Sequence, residues 1–335
     1  MENAGSISII VFIISAVVSA LSVIRLSKYA DIISKETKMG GLLAGTILLA
    51  TATSLPELTI TVSAGLIGNA DIAVGNGLGS ILFNIFILFV LDIYFRSQRL
   101  FLRVKHDHIY TGMIALILCI LTVIGLSVHV SVSLFTMSLT SIAIVVTYIA
   151  GMRFVSKKQQ ENIEPSSDSE NPTKQSEKKI SVQRAVIGFF LFSILIFFFG
   201  SVLSISGDVM ADTTGISATT VGSIFASLAT SIPDAMSVFM SLKLANVNMA
   251  IGTILGSNVF NLLVIAIADL VYVNGSIWLD TSDELMYVSL VGIILTIMVM
   301  VIIKRDHTRN RFTYLFPSII AVTSYVAVVS FLFLG

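Results

Sequence analysis

Apolar residues fall in runs of about 20, the length a helix needs to cross a bilayer, broken by short polar connections. Ten such runs occur, at roughly 6–26, 41–66, 71–95, 109–128, 131–154, 184–207, 213–242, 247–272, 284–303 and 313–334. Only Ser127 to Val130 separate the fourth run from the fifth. The runs lack two-residue alternation and are too long for barrel strands. The pattern therefore predicts an all-α membrane protein of ten transmembrane helices.

The basic positions alternate as strictly as the apolar runs. The connections after runs 1, 3, 5, 7 and 9 carry all 20 Lys and Arg residues, from Arg25 and Lys28 to Arg309 and Arg311. The even-numbered connections carry none, and Asp208, Asp212, Asp280, Asp283 and Glu284 lie there instead. Basic connections stay on the cytoplasmic side, so both termini are expected outside. One long connection, 156–183, is polar and without apolar periodicity, and is expected to be a disordered cytoplasmic linker. It divides the chain into 1–155 and 184–335, five spans each.

The two halves repeat one another. The segment from Gly45 aligns without a gap on the segment from Gly222, pairing Thr53 with Thr230, Ser54 with Ser231, Pro56 with Pro233, Glu57 with Asp234, Ser80 with Ser257 and Asn84 with Asn261. Chance similarity between apolar helices would match Leu and Ile rather than rare polar residues, Gly and Pro. A unit with an odd number of spans inserts its second copy upside down. The expected architecture is two inverted five-helix repeats with a site near the midplane.

The repeated polar residues define the candidate chemistry. A carboxylate at bilayer depth costs at least about 2.5–3.5 kcal/mol and marks function by default. Glu57 and Asp234 are two, at equivalent positions, each just after a proline. Pro56 and Pro233 have no N–H, which frees the carbonyls of Ala52 and Ala229 as candidate ligands. Thr53 and Ser54 lie one turn before Glu57, and Thr230 and Ser231 one turn before Asp234. Ser80 with Asn84, and Ser257 with Asn261, are spaced i, i+4 on the following spans. These hard oxygens, without intramembrane His or Cys, suit Ca²⁺ better than softer metals. Two carboxylates balance one divalent ion, and when empty they are expected to hold a proton or sodium. Gly75, Gly79, Gly252 and Gly256 recur at a spacing that lets helices approach closely. Asp92 and Asp269 form another repeated pair, near span ends, where solvated caps are expected. His106, His108, His129 and His307 fall in connections, and surface roles are expected for them.

Composition adds exclusions. Of 335 residues, 55% are hydrophobic and 12% charged, with a mean hydropathy of +0.95, against about 25% charged in soluble domains. Zero net charge gives no pointer to a nucleic-acid partner. The single cysteine, Cys119, can form neither an intramolecular disulfide nor a metal framework. The N-terminus has no basic stretch before its apolar run, so that run is read as a mature helix rather than a signal peptide.

At ATSLPE (52–57) with GS–N (79–84), and ATSIPD (229–234) with GSN–N (256–261), the chain resembles the cation/calcium exchanger superfamily. The resemblance covers about 100 residues in the two repeats, plus the ten-span plan, and is nearer the sodium/calcium branches than the cation/proton branch. It implies that Glu57 and Asp234 bind the transported ions, that the hydroxyls and amides named above line their site, and that spans 1 and 6 rock across the motif helices. Ala52 and Ala229 depart from the family's glycine, Ile81 from its asparagine, and Asn261 stands where some members carry an aspartate. Under the resemblance that last departure argues against potassium co-transport.

The expected function is antiport of Ca²⁺ against Na⁺, without a cofactor, in the plasma (inner) membrane, with inorganic cations and lipid as partners. H⁺/Ca²⁺ exchange, or antiport of another divalent ion, is the alternative. An intramembrane enzyme using the two carboxylates as acid and base lacks an oxyanion site, and a non-transporting scaffold would leave the midplane polar residues unexplained. Oligomeric state is not legible.

Overall fold

The computed structural model describes residues 2–36, 52–96, 99–128, 133–134, 137–161, 181–244, 246–305 and 310–334. Helices dominate: α1 (Glu2–Glu36), α2 (Leu55–Leu66), α3 (Ala70–Tyr94), α4 (His108–Val128), α5 (Leu139–Glu161) and α6 (Val182–Thr214), then α7 (Ala218–Lys243), α8 (Val247–Val271), α9 (Glu284–Ile303) and α10 (Arg311–Leu334). Among the described residues nine of these are long and apolar enough to cross a membrane. The exception, α2, has 12 residues; residues 41–51 of the span expected at 41–66, like most of the linker, lie outside the described residues.

Several boundaries differ from the sequence reading: the first helix runs on to Glu36 rather than 26, and the fifth to Glu161, into the expected linker. The sixth helix runs on to Thr214 rather than stopping near 207, because the first left-handed residue is Gly215, at φ 77°. Ser217 then accepts a hydrogen bond from the Thr220 N–H (3.2 Å) and starts α7. The fifth helix begins at Leu139 rather than 131, preceded by a two-residue antiparallel pair, Ser133–Leu134 with Met137–Ser138. The side chain of Asp269 draws the Ser138 N–H out of helical register (2.8 Å).

Caps repeat along with the motifs. Asn69 accepts from the Ile72 N–H (2.9 Å) and Asn246 from the Met249 N–H (3.1 Å), starting α3 and α8 at equivalent positions. These two helices form the centre and are mostly buried, whereas α5, α6 and α10 leave most of their length exposed. The outer helices keep large apolar side chains exposed, such as Ile10 and Leu21 on α1 and Phe190 and Ile194 on α6. Such surfaces suit lipid rather than water. α1 and α6 pack against one another antiparallel: Phe12 meets Gly207, and Tyr29 meets Gly188.

The central packing depends on absent side chains. A Cβ on Gly79 would lie 2.1 Å from the Ser223 carbonyl oxygen, and one on Gly75 3.0 Å from the Ser223 nitrogen. α3 thus lies backbone to backbone against α7 at Val221–Ala226, a stretch wound as a π-helix. Such windings are often found at functional sites, and this one stands one to two turns before Thr230 and Asp234.

Asp92 and Asp269 are not solvated caps. Both are fully buried. Asp92, near the end of α3, accepts from the Tyr314 hydroxyl and from Ser318 Oγ (2.7 Å) on α10. Asp269, near the end of α8, accepts from the backbone N–H of Ser138 and of Ile277, both at 2.8 Å. The repeat places a carboxylate clamp at the same place in each half, holding α3 to α10 and α8 to the entry of α5. The cap expectation failed because distance along the chain does not report whether another helix covers a span end.

Candidate ion-binding site

The two motif helices carry their prolines differently. In the first repeat helical winding breaks at Ser54, and α2 restarts with Pro56 in its first turn, where the missing N–H removes no bond. In the second, Pro233 lies inside the unbroken α7. The Ala229 carbonyl thereby lacks its usual donor four residues on.

The carboxylates that follow are almost fully enclosed: Glu57 and Asp234 are each 1% exposed. All four of their oxygens are buried without a hydrogen-bond partner. Asp234 lies within electrostatic reach of Glu57. Ser257 lies beside the Asp234 carboxylate, but not in hydrogen-bonding geometry. Buried polar atoms normally find partners, so acceptors left bare in both halves mark a place built for something else. No third Asp or Glu, and no His or Cys, joins this pair in a cluster of three among the described residues.

The other expected oxygens lie on the same and the following helices. Ser231 Oγ is buried and unpartnered, as are Asn84 Oδ1 and both amide atoms of Asn261. The Ser80 and Thr230 hydroxyls, one from each repeat, are 3.5 Å apart. Thr230 also donates to the Ser227 carbonyl (3.2 Å). Ser54 is buried and Thr53 half-buried, one turn before Glu57. Ala52 and Ala229 are buried beside the two motifs.

Two residues not named as candidate ligands, Asn76 and the Asn258 of the second GSN motif, belong to this network. Asn76, fully buried, donates to Thr61 Oγ1 (2.9 Å) and to the Glu57 carbonyl (3.4 Å), and accepts from Thr230 (3.4 Å). It ties the backbone of one motif helix to the side chain of the other. Asn258 Oδ1 accepts from Asn84 Nδ2 at 3.1 Å. The symmetry equivalents of Asn76 and Asn258 are Thr253 and Ile81, so a search for matched pairs passes over both. The available signal was helical: Asn76, Ser80 and Asn84 are spaced four apart on one face.

A second acidic group provides a contrast. A cleft of about 370 Å³ at the ends of α2, α3, α6 and α8 is lined by Asp71, Asp208 and Asp280 with Asn69, Tyr272 and Asn274. Each acid there has a donor: Ser282 N–H on Asp71 (2.7 Å), Asn69 on Asp208 (2.6 Å) and the Tyr272 hydroxyl on Asp280 (2.8 Å). Elsewhere Cys119 is buried, His106 is exposed and His108 half-buried; His129 and His307 lie outside the described residues.

A profile for the sodium/calcium exchanger protein family matches residues 7–157 and 184–334, one segment on each half of the chain. The chain belongs to the sodium/calcium exchanger protein family. It is an integral membrane protein of two inverted repeats, and its family acts on inorganic cations. No curated protein matches by sequence. Among solved structures, native YfkE is similar at a TM-score of 0.65 and 18% identity, covering 100% of this chain and 98% of that one. The sodium-calcium exchanger NCX_Mj, soaked with Na⁺ and Sr²⁺, is similar at 0.59 and 17%, covering 97% and 99%. The H⁺/Ca²⁺ exchanger CAX is similar at 0.61 and 13%, covering 97% and 88%. At these identities the likenesses establish the fold.

Proposed function

We propose that this family member exchanges Ca²⁺ for Na⁺, with Ca²⁺ bridging Glu57 and Asp234 and sodium ions taking the same oxygens in the alternate load. The observation that carries the reading is the set of four buried carboxylate oxygens without a donor. Two negative charges at this depth are costly alone and balanced by one divalent cation. Hydroxyls of Thr53, Ser54, Thr230, Ser231, Ser80 and Ser257, amides of Asn84 and Asn261, and carbonyls of Ala52 and Ala229 complete the candidate oxygen shell. Because the empty pair is penalised, the carrier crosses loaded, which enforces exchange.

The repeats are 1–155 and 184–335, joined by the linker 156–183, and the moving parts are α1 and α6, rocking across the motif helices. Their packing supports alternation. On α2, Thr59 is buried against Gly200 of α6, and Ser63 Oγ lies 2.8 Å from Ser201 Oγ. The equivalent residues on α7, Met236 and Met240, are 47% and 53% exposed. The two copies thus differ in packing at these positions, which supports the alternating-access reading.

Protons in place of sodium are the second reading, favoured by the same buried carboxylates, which protonation would neutralise. Liposomes loaded with radioactive calcium separate the two. Efflux is expected to follow an imposed Na⁺ gradient at constant pH. Efflux driven only by a pH gradient establishes the proton reading, and none under either contradicts both.

Both termini are proposed to face outside a plasma (inner) membrane, with the linker cytoplasmic, on the alternation of basic connections. A cysteine at Ser169, in a chain lacking Cys119, is expected to resist impermeant maleimide in intact cells and react after permeabilisation. Labelling in intact cells would reverse the orientation.

A further inference from the structure

A primary amide in a cation site has two unlike ends. Its oxygen ligates and its NH₂ repels, and the side chain can present either. Some neighbour has to choose for Asn84. Its Nδ2 donates to Asn258 Oδ1 at 3.1 Å, with the two side chains 0% and 1% exposed. That bond leaves Asn84 Oδ1 buried without a donor. The reverse bond, from the otherwise unpartnered Asn258 Nδ2, would consume that oxygen and turn the Asn84 NH₂ toward the cation. The second repeat has no such device. Both amide atoms of Asn261 lack partners, and the position equivalent to Asn258 is Ile81, whose apolar side chain lies against Gly292.

We propose that Asn258 is a positioning residue: by accepting the Asn84 amide hydrogen it holds the Asn84 oxygen toward the cation, so that one of the two amide ligands is oriented before the ion arrives. The inference rests on the ion site proposed above. It makes the site asymmetric within a symmetric fold, with a fixed ligand from α3 and a rotatable one from α8.

The test is Ca²⁺ binding to the purified full-length chain, by titration calorimetry, in a two-by-two set: native, Asn258→Ala, Asn84→Asp, and both together. Losing an orienting partner is expected to weaken Ca²⁺ binding at least about tenfold. Asn84→Asp replaces the amide by a carboxylate, whose two ends are alike and need no orientation. In that background Asn258→Ala is expected to change affinity by less than about twofold, by the same reasoning. An equal loss in both backgrounds would make Asn258 a packing residue. No loss in the native background, or no Ca²⁺ binding by Asn84→Asp alone, would also overturn the proposal. Should Asn258→Ala fail to insert, Asn258→Leu, closer in volume and equally unable to accept, takes its place in the same comparison. A native chain that binds no Ca²⁺ would instead defeat the ion site itself.

Discussion

Glu57→Gln and Asp234→Asn are each expected to lower calcium flux by at least about 100-fold while raising thermal stability in calcium-free buffer. The two effects come from the same atoms. Each carboxylate is 1% exposed, and no donor reaches either of its oxygens. Without a cation these are costly groups, and a neutral amide of the same size removes both the desolvated charge and the repulsion across the pair. With a cation the sign reverses: removing one carboxylate leaves half of a buried divalent charge uncompensated, and about 2.7 kcal/mol of lost ion stabilisation already accounts for a hundredfold. Calcium uptake into liposomes at matched protein levels reads the first effect, and thermal unfolding in chelator the second. A variant with near-native flux removes that carboxylate from the site. A variant that loses flux and also melts lower has lost a structural role instead.

Gly79→Ala is expected to be the most damaging single-atom change outside the ion site. Its Cβ would stand 2.1 Å from the Ser223 carbonyl oxygen and 2.6 Å from the carbonyl carbon. The obstacle is backbone, which cannot swing aside as a side-chain tip does. Overpacking typically costs about 1–3 kcal/mol, and here relief requires separating α3 from the π-wound stretch of α7. Since Ser80 and Thr230 meet across that same interface, at 3.5 Å, flux should fall together with stability. Gly292→Ala is the matched control, with its nearest neighbours at 3.8 and 4.0 Å, and is expected to behave as native. Fluorescence-detected size exclusion and calcium uptake on both variants decide it, and a monodisperse, active Gly79→Ala protein would refute the close-packing account.

The helices were legible because lipid removes the ambiguity that water leaves: an apolar run of about 20 residues has few alternatives. Their ends were less so. Thr213 and Thr214 extend α6 by bonding back to the carbonyls of Val209 and Met210, a choice that hydropathy does not register. The carboxylate pair was legible because Glu57 and Asp234 recur in register with Pro, Ser and Thr, and recurrence separates a site from an ordinary kinked helix. The same reliance on recurrence hid Asn76 and left Asn258, visible in its motif, without a role, because their partners lie across a helix interface and their equivalents, Thr253 and Ile81, share none of their chemistry. It also gave Pro56 and Pro233 one role where the structure gives two, a helix start and an interior kink position. Asp92 and Asp269 show the opposite failure. Their recurrence was visible, but only the fold reveals that α10 and the entry of α5 cover them.

The most direct measurement is an anomalous difference map from crystals of this protein soaked in Ca²⁺ and recorded at long wavelength. The account predicts a strong peak within about 2.3–2.6 Å of oxygens from both Glu57 and Asp234. A peak held by Asp71, Asp208 and Asp280, with none between Glu57 and Asp234, would contradict it.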